Sequence, residues 1–286
     1  MNSRISEIRR QFNRNANSYD AHAHVQRMMS DQLANSFIGM KKKDFRDRLS
    51  ILEIGCGTGT LTEILVKEWP SASITALDIA PAMITLAQQR VQSSAAKITG
   101  THTMDRLRFL NADIEVWAPN APKASFDLIV SNACFQWLSN PRQTLGQLRR
   151  LLRAGGLLLF TTFGPDTFCE LHKAFHDVYR AEGIEPQRHG LTFRTPAEWN
   201  SLLAESGFSS IQNERAIRIE KYASTRDFLL SIKGMGASTS EAVAREGLSS
   251  RRLFASMYKE YEAKFSVPGG VAASYDLLFI QAWVDR

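Results

Sequence analysis

The segment EIGCGTGTLT, residues 53–62, carries the strongest chemical signal in the chain. The apolar run SILEIG (50–55) reads as a buried strand ending in Gly55, with Gly57 and Gly59 close behind. Glycines at such a turn let the backbone fold back sharply and approach a ligand with no side chain between them. The dinucleotide fingerprint G-x-G-x-x-G would need a glycine at position 60, where this chain has Thr60. A ligand-free strand–helix turn is the alternative reading, and the carboxylates downstream weigh against it. Asp78 ends the next strand, 23 residues beyond Gly55, where a carboxylate accepts hydrogen bonds from ribose hydroxyls. Asp113 in NADI and Asp127 in FDLIVSN follow in order, although Asp113 alone reads as a turn-forming residue.

Alternating elements must position these groups. After the helix GTLTEILVKEW (59–69) come the strand SITALDI (73–79), a helix opened by Pro81, and strands at 107–113 and 125–132. A helix follows at 141–152, ended by the AGG at 154–156, before the strand LLLFTTF (157–163). This rhythm means a parallel, doubly wound α/β sheet. Beyond 163 it loosens: a helix around 166–181, a polar loop, a helix at 195–208, a strand at 211–222, two helical stretches in 224–265 joined through GMGAST, and a final strand at 274–285. The first forty residues read as peripheral helices, with Ile5, Ile8 and Phe12, then Val25, Met28, Met29, Leu33 and Phe37, at helical spacing. The expected organisation is an N-terminal helical cover (1–48), a ligand-binding core (49–163), a helical insertion (164–194), a return to the core (195–223), a second insertion (224–265) and a last core strand (266–286).

Composition bounds the rest. With 286 residues, 44% hydrophobic and 22% charged, the chain can bury a sizeable core, so disorder is excluded as the main theme. No run approaches the ~18 apolar residues of a membrane span, and the N-terminus lacks the apolar core of a secretory signal. Cys56, Cys134 and Cys169 are too scattered for a disulfide framework, so a reduced cytoplasmic protein is expected. His172 and His176 have zinc-like spacing, but Lys173 stands where a metalloprotease helix has glutamate, and no metal is expected. The net charge of +6 is uneven: residues 1–48 carry ten Lys/Arg against five Asp/Glu, and 141–153 carry four arginines and no acid. Solvated helix faces, KKK at 41–43 among them, are one reading; a surface for an acidic partner is the other. No aromatic residues interleave with these clusters as on a nucleic-acid stacking platform.

The E-x-G-x-G-x-G arrangement resembles the first motif of class I S-adenosylmethionine-dependent methyltransferases. Further segments, FNRNANSYDAHAHVQ (12–26), SNACFQWL (131–138), FTTFGPDTFCELHKAF (160–175), SIKGMGAST (231–239) and SYDLLFIQAW (274–283), resemble the malonyl-acyl-carrier-protein O-methyltransferases of biotin synthesis over nearly the whole chain. The resemblance implies a mostly parallel, seven-stranded Rossmann-like sheet under helical covers. It implies S-adenosylmethionine held by Gln26, Glu53, Gly55, Cys56, Gly57, Thr58, Gly59, Asp78, Ile79, Met83, Ala112, Asp113, Ile114 and Asn132, with Asp113 against the adenine amino group. The end of the fourth-strand motif that begins at Asp127 would face the sulfonium. Tyr19, Asn132, Gln136 and Trp137 would flank the transferred methyl group, although a core aromatic remains the other reading of Tyr19.

The implied reaction esterifies the free carboxylate of a malonyl thioester on acyl carrier protein. A carboxylate with a pKa of ~4 is already ionised at neutral pH, so no general base is needed, only alignment and exclusion of water. The carrier protein is acidic, which gives the basic flanks a purpose. Lys233, Arg149 and Arg150 are the candidate cations for malonyl or carrier, the arginines on elements expected beside the acceptor opening. A methyltransferase of another small acid or quinone precursor, and a donor-binding or RNA-binding regulator, remain as alternatives.

Overall fold

A computed structural model describes residues 3–38, 49–95, 104–187, 189–236 and 250–285. Part of the GMGAST junction and the charged stretch 41–48 lie outside the described residues. Four parallel pairings build the left of the sheet from β1 (Ser50–Ile54), β2 (Ser73–Asp78), β3 (Leu107–Asn111), β4 (Phe126–Ser131) and β5 (Leu152–Phe163). Two long strands, β6 (Ser209–Tyr222) and β8 (Gly270–Trp283), complete it in antiparallel sense, giving the order β3-β2-β1-β4-β5-β8-β6. A two-residue strand, β7 (Ser266–Val267), folds back on β8. The architecture is the mixed, mostly parallel Rossmann-like sheet that the sequence implies.

Alternation of buried side chains fixes both faces. Leu52, Ile54, Ile129, Leu158 and Phe160 join one apolar cluster with α6 (Pro141–Leu151) and α8 (Pro196–Glu205). Ile51, Leu128, Val130, Leu157 and Leu159 join another with α2 (His24–Ile38), α3 (Thr60–Glu68) and α4 (Pro81–Ala95). Within α8's start, Thr195 and Glu198 form a reciprocal capping box behind Pro196. The AGG at 154–156 does not break the chain: α6 stops at Leu151 and β5 runs through the glycines, Gly155 donating its N–H to Val284 at 3.0 Å. Pairing with the end of β8 carries the strand across a residue with φ of 75°.

β6 and β8 outrun the neighbouring strands, pairing as far as Tyr222 with Val271. Their extensions carry a third apolar cluster, in which Val271 and Ala273 meet α7 (Cys169–Ala181), α9 (Thr225–Gly234) and α10 (Ser250–Phe265) through Phe175, Phe228, Met257 and Tyr261. The final strand therefore starts at 270 rather than 274, because its first residues support the cover. Buried Asp276 anchors the turn into α7: it accepts the Asp166 N–H at 3.1 Å and both Arg215 donors at 2.8 Å. α1 (Ser3–His22) and α2 meet at Ala23 and are walls of the site rather than peripheral, with Ile8, Ala16, Val25 and Met29 buried.

Candidate active site

The site opens where β1, β2 and β4 end, at the point where the chain leaves β1 in one direction and β4 adjoins it on the other side. Gly55, Gly57 and Gly59 all have positive φ, at 70°, 53° and 86°. Their surroundings differ. A Cβ on Gly55 would lie 2.5 Å from Cys134 Sγ and one on Gly59 would lie 2.8 Å from Ala87 Cα, whereas one on Gly57 would meet nothing within 4 Å. Gly55 and Gly59 are therefore packing glycines, and Gly57 faces open space. Buried Asp78 holds this loop, Oδ2 accepting the Gly57 N–H at 2.9 Å and Oδ1 the Ala80 N–H at 2.8 Å. Each of its oxygens retains a lone pair for a ligand hydroxyl. Burial pushes its pKa up to about 6, against the opposing pull of these N–H donors.

A cavity along this edge is lined by Gly55, Gly57, Asp78, Ile79, Met83, Ala112, Asp113 and Ile114. Asp113 caps α5 (Ile114–Trp117) by accepting the Glu115 N–H, and burial raises its pKa. Cys56, Thr58, Glu53, Gln26 and Asn132 line a smaller adjoining cavity with Gly55 and Gly57. Glu53 is buried and pushed up to about 8 by desolvation, with Thr62 donating to it at 2.6 Å. Burial also raises the thiols of Cys56 and Cys134, the latter to about 12, which fits packing residues. α1 is fastened over the loop by Asp20, which accepts the Thr58 hydroxyl at 2.7 Å and pairs with Arg90, while Arg90 Nε donates to the Thr58 carbonyl at 2.8 Å.

A third and larger cavity, about 490 Å³, lies beyond a partition formed by Phe12, Tyr19, Ala133 and Trp137, which line both it and the first cavity. Tyr19 borders all three cavities. Its hydroxyl makes no hydrogen bond to the described residues, and burial, with Asp78 and Asp20 nearby, raises its pKa well above the usual phenol value. Ala133 is held at φ 47°, its N–H donating to the carbonyl and hydroxyl of Thr161. This left-handed alanine had no signature in the sequence.

The large cavity is walled mainly by apolar and aromatic side chains of α7, α9, α10 and the loop through 189–193. Arg226, Lys233, His172 and His189 line it, and among the described residues no carboxylate does. His189 stacks on Phe175 at 3.7 Å between ring centroids and lies 2.8 Å from the Tyr179 hydroxyl; burial lowers its pKa to about 4, so it is neutral. Neither His189 nor Arg226 stood out in the sequence, where each is a lone polar residue in a loop or an amphipathic helix. His172 and His176 part company: the former lines the cavity, and the latter is exposed beside Asp177.

Other expected site residues have different duties. Asn132 donates to the Gln26 carbonyl and the Ser30 hydroxyl and accepts from Thr161, so its side chain ties α2 to the sheet. Gln136 lines the large cavity, donates to the Ala133 carbonyl at 2.7 Å and accepts from Thr162, which supports the partition. Trp137 meets Phe12 edge to face at 5.4 Å. Arg149 and Arg150 line none of these cavities: they occupy the last turn of α6 and donate to the carbonyls of Gly207 and Ala118. Because a crossover helix runs back against its strands, that turn lies at the sheet edge where β5 begins, opposite the site. Asp127 lies at the same far edge, accepting the Ser50 N–H and pairing with Arg153 at 2.5 Å, so it does not face the ligand.

The model of a methyltransferase domain family matches residues 8–213. A malonyl-acyl-carrier-protein O-methyltransferase of Paenibacillus sp. (strain JDR-2) is 55% identical over 99% of this chain and 100% of its own length. Among solved structures, the YcgJ protein of Bacillus subtilis superposes with a TM-score of 0.59 at 16% identity, over 90% of this chain and 99% of that one. The phosphoethanolamine N-methyltransferase 2 of Haemonchus contortus, solved with S-adenosyl-L-methionine, gives 0.54 at 15% identity over 95% of this chain and 57% of that one.

Proposed function

The chain belongs to the malonyl-acyl-carrier-protein O-methyltransferase family, and from that premise we propose that it transfers a methyl group from S-adenosylmethionine to the free carboxylate of malonyl-acyl carrier protein. The product would be the malonyl methyl ester that starts the pimeloyl precursor of biotin. One observation carries the reading: two cavities of opposite character meet at a partition where Tyr19 borders both. One has carboxylates and a glycine loop, suited to a nucleoside and a cationic centre. The other is apolar with cations and, among the described residues, no carboxylate, suited to an acid on an uncharged arm.

The residues present fit the donor. Gly57 leaves room for a close approach, and Asp78 has acceptor capacity for ribose hydroxyls. Gln26 Oε1 is buried without a hydrogen-bond partner, at the smaller cavity, where an ammonium group would satisfy it. The donor supplies an electrophilic methyl on sulfur. Tyr19, neutral at physiological pH, would donate its hydroxyl hydrogen bond at the junction and orient the acceptor carboxylate. Phe12 and Trp137 would exclude water from the reacting centre. Lys233, exposed near the end of α9, adjoins Gly234 and Met235, which contact Ser18 and Gln26. That location supports Lys233 as the cation for the malonyl carboxylate. Neither Asn132 nor Gln136 need act beyond holding the walls.

The test is methyl transfer from labelled donor to malonyl-carrier protein, free malonate and RNA offered side by side. Transfer to the carrier substrate at least about tenfold faster than to malonate, with none to RNA, is expected. Preferred transfer to free malonate or another small acid would replace the carrier reading.

A further inference from the structure

Several described basic side chains around the cover have carboxylate partners: Arg252 with Glu182, Lys264 with Asp177 and Glu260, and Arg218 with Glu220. Lys173 and Arg180 on α7 and Lys259 on α10 are exposed without one, and so are three residues whose helix faces border the large cavity. Arg226 and Lys233 on α9 and Arg251 on α10 are exposed and make no side-chain ion pair or hydrogen bond among the described residues. Their placement is not random. Arg226, Leu230 and Lys233 follow at i, i+4 and i+7 along α9, and Arg251, Phe254 and Tyr258 at i, i+3 and i+7 along α10, so each set lies on one helix face. All of them except Arg251 line the 490 Å³ cavity, and Leu230 and Phe254 remain 47% and 37% exposed at its mouth.

We infer that the mouth of the acceptor cavity, formed by Arg226 and Leu230 of α9 with Arg251 and Phe254 of α10, is the docking surface for an acidic carrier protein. The inference rests on the function proposed above and adds a location to it. A substrate tethered to its carrier can reach the partition only if the carrier sits where the tether enters, and this rim is that entrance. Unpaired arginines beside exposed apolar side chains match the make-up of a protein contact, with an apolar anchor and a charged rim that steers an acidic partner. The far-edge arginines at 149 and 150 hold backbone carbonyls instead and lie on the opposite side of the sheet.

Binding of the phosphopantetheinylated carrier, without its malonyl group, to the full chain tests this directly. The double variant Arg226→Glu, Arg251→Glu is compared with Arg149→Glu, Arg150→Glu, which makes the same charge change at the far edge. Donor affinity measured on each protein reports that it is folded. The rim variant is expected to lose at least about tenfold in carrier affinity and the far-edge variant less than about twofold. Equal weakening by both, unchanged binding to the rim variant, no binding to the wild-type chain, or conversion of a dimer to a monomer by the rim variant would overturn the proposal. Failure of the proposed function is separate: it would show as carrier binding to the wild-type rim without methyl transfer to the malonyl form.

Discussion

The donor edge and the acceptor cavity are built by different means. At the donor edge, short segments at the ends of β1, β2 and β3 set the geometry through backbone: three glycines with positive φ and Asp78 and Asp113 accepting backbone N–H groups. The acceptor cavity is assembled from side chains of α1, α7, α9, α10 and β8, whose packing converges only in the folded chain. A backbone-built site is rigid and generic to its fold. A side-chain-built site is where one family departs from another. Perturbations should separate the two accordingly.

Gly57→Val should give the largest effect, because a β-branched residue is strained at φ 53° and its side chain would fill the space open to the donor. Donor affinity by calorimetry is expected to fall more than about 100-fold, with a cooperative thermal transition retained. Gly55→Ala is the counterpart: its Cβ would collide with Cys134, so the melting temperature should fall first. Asp78→Ala removes the hydroxyl acceptor and should cost about 1.5–3 kcal/mol of donor binding. Affinity in the wild-type protein should climb as pH rises from 5 to 7, since the carboxylate, held at about 6 by burial, is the better acceptor.

On the acceptor side, Lys233→Met should raise KM for the malonyl substrate about tenfold, or about 1.4 kcal/mol, while leaving the donor Kd unchanged. A matching loss of donor affinity would show that the partition does not separate the two sites.

Acid should also act on the two regions with opposite sign. Asp78 has a folded-state pKa above its unfolded value, so its ionisation costs fold stability as pH rises from about 4 to 6. His189 has a folded-state pKa depressed to about 4, so its contribution is present above 6.5 and is lost as pH falls through that interval. His189→Phe should therefore flatten the loss of stability between pH 6.5 and 4 in urea titrations. The smallest effect belongs to Arg90→Ala. Its pair with Asp20 is partly exposed, so loosening α1 over the loop should weaken donor binding by less than about 1 kcal/mol.

This contrast also explains what could be read in advance. Gly55, Gly57, Asp78 and Asp113 were legible because each strand end is contiguous in sequence and its chemistry is written in residue type. The acceptor wall was not: Phe175, His189 and Phe254 carry no distinguishing pattern until α7, α10 and a loop bring them together. Charge counting pointed to residues 1–48 and 141–153, Arg149 and Arg150 among them, because a tally of basic residues carries no direction. The crossover helix that holds Arg149 and Arg150 runs away from the site, whereas Arg226 lines the acceptor cavity and Arg251 shares a face of α10 with Phe254, which also lines it. Ala133 was invisible for another reason, since only its carbonyl and N–H partners, Gln136 and Thr161, hold it in the left-handed region.

In the function proposed above, the methyl group is delivered to a carboxylate across the partition at Tyr19. Mass spectrometry of the carrier's prosthetic arm after reaction with malonyl-carrier protein and labelled donor tests it most directly. A single labelled methyl on the malonyl carboxylate, released as labelled methanol by alkaline hydrolysis, is expected, with a rate lowered about tenfold in Tyr19→Phe at unchanged donor affinity. A label on carbon, sulfur or the carrier polypeptide, or an unlabelled arm after donor turnover, would contradict it.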